Sequence, residues 1–227
     1  MKRRLFIGAG AAAVAGTGAY FLNGASPVLD SSGTAGFGAA VAQTTEADDF
    51  DTSSIVDMTL GAEDAPVTMV EYASFTCPHC ATFHNGPLKD IKKNYIDTGK
   101  VRFIFREAYF DKYGLWASLM ARCGGEMRYF GVVDILMNDQ KAWLGEGDAT
   151  AVVENLRRIG LTAGMTNESL DACFADGEKV QTLLAWYQEN FTRDDMDSTP
   201  SFLINDQKYA NMSYDDFAKV LDEKLAE

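Results

Sequence analysis

The chain has 227 residues, 47% of them apolar, enough to bury one core with or without an inserted subdomain. Its formal net charge is −13, which repels phosphate backbones and argues against nucleic acid as a partner. The first 42 residues hold three basic residues and one acid, so the remainder is more acidic still, and solubility is the plain reading of that charge.

Lys2, Arg3 and Arg4 precede a Gly/Ala-rich apolar stretch from Leu5 to Leu22, the layout of an export signal. RRLFI is similar to the twin-arginine type, although no Ser or Thr precedes the arginines. Ala40-Val41-Ala42 has the small-x-small form of a cleavage site, so residues 1–42 read as a signal that is removed. An uncleaved membrane anchor is the rival, because Leu5–Leu22 is just long enough to span. Its Gly and Ala content favours cleavage. The leader has no cysteine for lipid attachment, and no later stretch is apolar enough to cross a membrane. Residues 43–58, QTTEADDFDTSSIVDM, are polar and acidic and read as a flexible linker.

VTMVEYASF (67–75) is a mostly apolar run with β-branched and aromatic residues, as in a strand buried on both faces. After Cys80, Phe83, Leu88, Ile91 and Tyr95 recur at roughly helical spacing, with a kink expected at Gly86-Pro87. KVRFIFREAYF (100–110) alternates and predicts a second strand, parallel to the first across the helical crossover. From Tyr113 to about Phe191 the periodicity is helical. Leu115, Trp116, Leu119, Met120 and Cys123 share one face, and Asp148 caps a helix carrying Val152, Leu156 and Ile159. Leu170, Cys173 and Phe174 lie on another helix, and Val180, Leu183, Leu184, Tyr187 and Phe191 on a last long one. SFLI (201–204), the turn NDQ and KY (208–209) predict a hairpin. Ser213 with Asp216 predicts a capped final helix. The order is β-α-β, a helical block, then β-β-α.

FTCPHCATFH (75–84) holds a C-x-x-C pair and both histidines of the chain. Haem attachment needs His directly after the second cysteine, and residue 81 is Ala. Cys77, Cys80 and His84 could supply three zinc ligands, but no second cluster supplies the fourth. A purely structural bridge across so short a loop constrains the unfolded chain little. Redox chemistry fits best, because the pair sits between a buried strand and the first turn of a helix. Free N–H groups and the helix dipole there favour a thiolate at Cys77, and His79 adds a positive or hydrogen-bonding group beside it. Pro78 suits the first helical position. Cys80, one turn deeper, reads as the resolving thiol.

On these residues the chain resembles the DsbA-like disulfide oxidoreductases. The resemblance covers about residues 58–226. It implies an α/β thioredoxin-like fold with an inserted all-helical domain: residues 59–112 and 185–227 for the thioredoxin-like part, 113–184 for the insertion. It places Glu71 where the family carries a buried acid thought to accept or relay protons. Pro200, after Ser198-Thr199, falls where the family has a cis-proline facing the cysteines. Thr199 stands where strongly oxidising enteric members have Val and where isomerase-type relatives commonly have Thr. The implied protein is periplasmic and introduces disulfides into unfolded or reduced exported proteins. It is reoxidised by a membrane quinone-linked protein, works as a monomer, and needs no cofactor or metal beyond the Cys77–Cys80 disulfide. A monomeric isomerase or reductase is the alternative, and a non-catalytic zinc- or peptide-binding module is the alternative from another class.

Other readings stay open at single residues. Glu71 is either a structural partner of Arg106 on the next strand or an unpaired acid with a raised pKa. Pro200 by base rate alone is an ordinary trans edge proline. His84 carries no assigned role. Cys123 and Cys173 are core thiols in a reducing compartment and a disulfide in an exported chain.

Overall fold

A computed structural model describes residues 50–227; the expected export signal and residues 43–49 of the expected linker lie outside the described residues. Strand β1 (Met58–Leu60) leads into β2 (Val67–Ala73), which is buried along its length except at the half-buried Thr68. Helix α1 (Pro78–Asn85), α2 (Pro87–Ile91) and a π-helical turn (Lys92–Ile96) carry the chain to β3 (Val101–Glu107). The crossover makes β2 and β3 parallel, with Glu71 opposite Phe105 and Tyr72 opposite Arg106. Six helices follow: α3 (Lys112–Cys123), α4 (Glu126–Asn138), α5 (Gln140–Leu144), α6 (Ala149–Thr162), α7 (Asn167–Phe174) and α8 (Gly177–Arg193). The chain then returns to the sheet as the hairpin β4 (Ser201–Ile204) and β5 (Gln207–Ala210), and ends in α9 (Tyr214–Leu225). The sheet order is β1-β3-β2-β4-β5. This is the α/β thioredoxin-like sheet with a helical insertion that the resemblance implied.

Local chemistry accounts for the breaks. Gly86 leaves the helical region at φ −126°, ψ −98°, and Pro87 opens α2, so the expected kink separates two helices. Asn205 and Asp206 both take positive φ, the turn that a two-residue hairpin between twisted strands requires. Asp148, Thr166, Asp176 and Ser213 cap four helices through their side chains.

Two expectations need correction, and one open alternative is closed. Residues 50–58 are not a free linker. Asp51 caps a 3₁₀ turn at Thr52–Ser54, the Thr52 hydroxyl donates to Glu189 Oε2 at 2.8 Å, and Met58 is buried in β1. Asp57 takes a two-pronged ion pair from Arg106, at 2.9 and 2.8 Å. Arg106 therefore does not pair with Glu71. It points to the opposite face of the sheet, where Asp57 and Asp194 hold it, because side chains alternate along a strand. Finally, the boundary drawn at 184/185 falls inside α8, which is continuous from Gly177 to Arg193.

One core spans the sheet face, α1, α9 and the insertion, and includes Phe83, Phe105, Leu119, Tyr129, Leu156, Phe202 and Phe217. A smaller cluster of Val70, Tyr72, Ile104, Met196 and Leu203 covers the other face. No described helix is long and apolar enough to cross a membrane. Cys123, ending α3, and Cys173 in α7 are joined by a disulfide, with Cα atoms 6.1 Å apart and a sequence separation of 50. A loop of that length corresponds to about 4 kcal/mol of lost unfolded-state entropy. Replacing both cysteines by Ser should lower stability in urea unfolding by up to that amount, and should leave the titration of Cys77 where it is.

Candidate active site

The β2 ladder ends at Ala73, and the chain turns so that Cys77 N–H donates to Ser74 O at 3.1 Å. Cys77 is the N-cap of α1, in extended conformation (φ −81°, ψ 118°), with Pro78 in the first turn. Its sulfur thus lies beside the unpaired N–H groups that open a helix. Cys77 is half-buried, whereas Cys80, one turn on, is fully buried.

That placement separates the two thiols. Cys77 is brought down to about 5. The hydrogen bond from the Cys80 thiol contributes most, followed after the opposing cost of burial by the Thr199 side chain and the backbone N–H groups of Cys80 and His79. Cys80 is pushed far up, by burial first and then by its bond to Cys77 and the negative charges of Glu71 and Cys77. The His79 ring is exposed, and its backbone N–H bears on Cys77; the sequence reading had credited the ring. The Thr199–Pro200 peptide is cis, and the Cys77 thiol donates to Thr199 O at 3.4 Å. Pro200 is buried and Thr199 half-buried.

The insertion grips the turn from behind. Gln140, at the start of α5, donates from Nε2 to Phe75 O at 2.8 Å and to Cys77 O at 3.0 Å. The Thr76 hydroxyl donates to Asp111 Oδ2 at 2.5 Å. The other oxygen of Asp111 accepts the N–H groups of Tyr113 and Gly114 at 2.8 and 3.0 Å, capping α3. Gly114 lies so close that a Cβ there would come within 3.2 Å of Ser74 Oγ. A groove of about 740 Å³ runs between α1 and α4–α5, with Pro78, Ala81, Met137 and Gln140 in its walls.

Beneath the cysteines, fully buried Glu71 meets His84, with Oε2 to Nε2 at 2.9 Å. Burial raises the Glu71 pKa, His84 pulls it back, and the charge of Cys77 adds to the rise. From sequence His84 was weighed only as a zinc ligand and carried no role in the redox reading. The signal available was its position four residues after Cys80, on the same helical face. Gln140 had no sequence signal at all. Among the described residues no group of three His, Cys, Asp or Glu side chains converges as metal ligands would, and the His84 nitrogen considered for zinc faces Glu71. The arrangement can form and break a disulfide between a stabilised surface thiolate and a buried thiol.

The thioredoxin family model matches residues 53–223. A Rickettsia bellii protein provisionally named a protein-disulfide oxidoreductase is 34% identical over 75% of this chain and 65% of its own length. The chain spans less than two thirds of the Rickettsia relatives it matches. Disulfide bond formation protein D of Bacillus subtilis is 43% identical over 22% of this chain and 23% of its own. Among solved structures, Wolbachia pipientis alpha-DsbA1 superposes with a TM-score of 0.66 at 28% identity, over 75% of this chain and 91% of that one. BdbD from Bacillus subtilis shares the fold at 21% identity, with a TM-score of 0.66 over 75% and 94% of the two chains.

In the reduced protein, thiolate ultraviolet absorbance should titrate with a midpoint of about 5, and Thr199→Val should raise it by removing one hydrogen bond to the sulfur. Because the folded pKa lies below that of an unfolded thiol at about 8.5, the reduced form draws stability from Cys77 above that pH. It loses this stability as the pH falls through about 5. The gap in urea midpoint between reduced and oxidised protein should move toward the oxidised form over that range. A midpoint near that of a free thiol would contradict the geometry.

Proposed function

The chain belongs to the thioredoxin family, and from that premise we propose that it is an exported thiol:disulfide oxidoreductase that introduces disulfides into secreted or periplasmic proteins through Cys77-Pro78-His79-Cys80. The observation that carries the reading is the split between the two sulfurs, with Cys77 held as a thiolate at about 5 and Cys80 buried and protonated. Stabilising one thiolate stabilises the reduced form, makes the Cys77–Cys80 disulfide a better oxidant, and makes Cys77 a better leaving group.

In the oxidising direction a substrate thiolate attacks Cys77 Sγ and the Cys77–Cys80 bond breaks. Cys80 leaves with the electron pair and takes up a proton. The substrate's second thiolate then attacks its own sulfur in the mixed disulfide and releases the Cys77 thiolate. Two electrons have passed from substrate to enzyme, with no cofactor beyond the cysteine pair. Cis-Pro200 and Thr199 sit against Cys77, where a substrate backbone would lie beside the mixed disulfide. The reduced enzyme returns its electrons to a membrane quinone-linked protein. The leader of residues 1–42 supports export to the periplasm, with an uncleaved anchor as its variant, and the enzyme acts as a monomer in this reading.

Thr199 favours a second reading, a monomeric isomerase or reductase that keeps the same cysteines reduced. No observation favours a zinc- or peptide-binding module without turnover. The redox state of Cys77 and Cys80 in freshly isolated protein separates the first two readings: oxidised for the oxidase, reduced for the isomerase. Cys77→Ser should abolish disulfide transfer to a reduced substrate protein, and Cys80→Ala should accumulate mixed disulfides with its substrates and its recycling partner. Transfer by Cys77→Ser at the normal rate would sink both readings.

A further inference from the structure

Helix α1 is tied at both ends to the joint between α4 and α5. At its far end Asn85 Nδ2 donates to Met137 O at 3.0 Å. At its near end Gln140 Nε2 donates to Phe75 O and Cys77 O at 2.8 and 3.0 Å. The joint is itself braced: Trp143 Nε1 donates to Leu136 O at 2.9 Å, and Asn155 Nδ2, from α6, to Trp143 O at 3.0 Å. Gln140 is buried, and its one nitrogen bridges two carbonyls that enclose the backbone torsions of Thr76 and Cys77. Cys77 is otherwise held at its N–H by Ser74 O at 3.1 Å and at its carbonyl by the Ala81 N–H at 3.2 Å. Pro78 has no N–H, so the peptide joining Cys77 to the helix can be gripped only at that oxygen. With α1 fixed, the ψ of Cys77, here 118°, decides where the sulfur stands against the first-turn N–H groups. The bridge also demands this residue type. Two donors on one uncharged nitrogen belong to a side-chain amide; Glu would only accept, and Lys would bury a charge.

We propose that Gln140 is a positioning residue for the exchange reaction: by bridging Phe75 O and Cys77 O it holds the Cys77 sulfur against the N–H groups of His79 and Cys80, and so sets how far the dithiol is favoured over the disulfide. The inference rests on the thiol–disulfide exchange proposed above. The backbone N–H groups of Cys80 and His79 bear on the Cys77 thiolate. Hydrogen bonds to a charged sulfur are stronger than those to a neutral one, and the sulfur is charged only in the dithiol form. Loosening the turn therefore costs the reduced protein more than the oxidised protein, whereas a bond that merely braces the fold costs both alike. The titratable groups acting on Cys77 are Cys80, through its thiol, and Glu71, through its charge. Around the turn, Asp111 holds Thr76, and Asp139 and Lys141 stand beside Gln140 in the groove wall. Gln140 adds no charge to these, so its effect runs through geometry.

The test equilibrates the protein with glutathione, where enzyme dithiol and glutathione disulfide give enzyme disulfide and two glutathione thiols. Gln140→Met keeps the length of the side chain and lacks both donors. It should raise the midpoint of thiolate absorbance by about one pH unit and shift the equilibrium about tenfold toward the enzyme disulfide at neutral pH. The protein with Cys123→Ser and Cys173→Ser is the comparison. It weakens the insertion away from the turn, so its midpoint and equilibrium should match the wild type. An equal shift in that protein overturns the proposal, because any loosening of the insertion would then suffice. A Gln140→Met protein that loses stability but keeps both wild-type values also overturns it, and leaves the exchange reading standing. A wild-type protein that never exchanges with glutathione takes down both. Should Gln140→Met fail to fold, Gln140→Ser decides, since water from the groove can then meet the two carbonyls. The same shift there supports the proposal, and wild-type values overturn it.

Discussion

The chemistry of this molecule depends on four residues, Ser74 to Cys77, keeping one shape where β2 gives way to α1. A thiolate at a helix N-terminus needs the first-turn N–H groups turned toward it. The carbonyls behind the turn must then find other donors, because buried carbonyls without partners are costly. Gln140 supplies two such bonds from a single amide, to Phe75 O and Cys77 O. Asp111 holds Thr76 with one oxygen and starts α3 with the other. The insertion is therefore the back wall of the cysteine turn. A shift of Asp111 or Gln140 would be felt at the cysteine turn.

Among the described residues, three charged clusters flank the sheet, with three consequences. Glu107 and Arg122 lie between β3 and the insertion, with Arg122 stacked over Trp186 at 4.9 Å, and every oxygen of the acid is used. Arg106 lies on the opposite face with Asp57, Asp194 and Tyr72. Both arginines also reach the N-terminal segment, Arg122 at Val56 O and Arg106 at Asp57, so that segment is latched at two adjacent residues. The third, Glu71 and His84, leaves Glu71 Oε1 and His84 Nδ1 without hydrogen-bond partners, and it is the one under the cysteines.

What was legible in the sequence was what local pattern determines. The apolar run of β2, the alternation in β3, the Gly86-Pro87 break and the C-x-x-C at a strand–helix junction depend on neighbours in the chain. The choice of partner for Glu71 did not, because it turns on parity. In register with Phe105, Glu71 faces α1 and His84, while Arg106, one residue further along β3, faces away. A single residue of register decides between a structural ion pair and a buried acid beside a thiol. The acidic stretch at 50–58 looked free because its partners, Arg106 and Glu189, are about 50 and 140 residues away in the chain. Gln140 was invisible for the same reason: a lone glutamine acquires meaning only from the carbonyls it meets.

The bridge from Cys123 to Cys173 has a consequence for the molecule's own history. A newly made copy carries four thiols, and the folded form has surrendered two electrons to staple α3 to α7. Some acceptor must take those electrons while the insertion is still assembling. Each copy is therefore itself a product of disulfide formation before its insertion is complete.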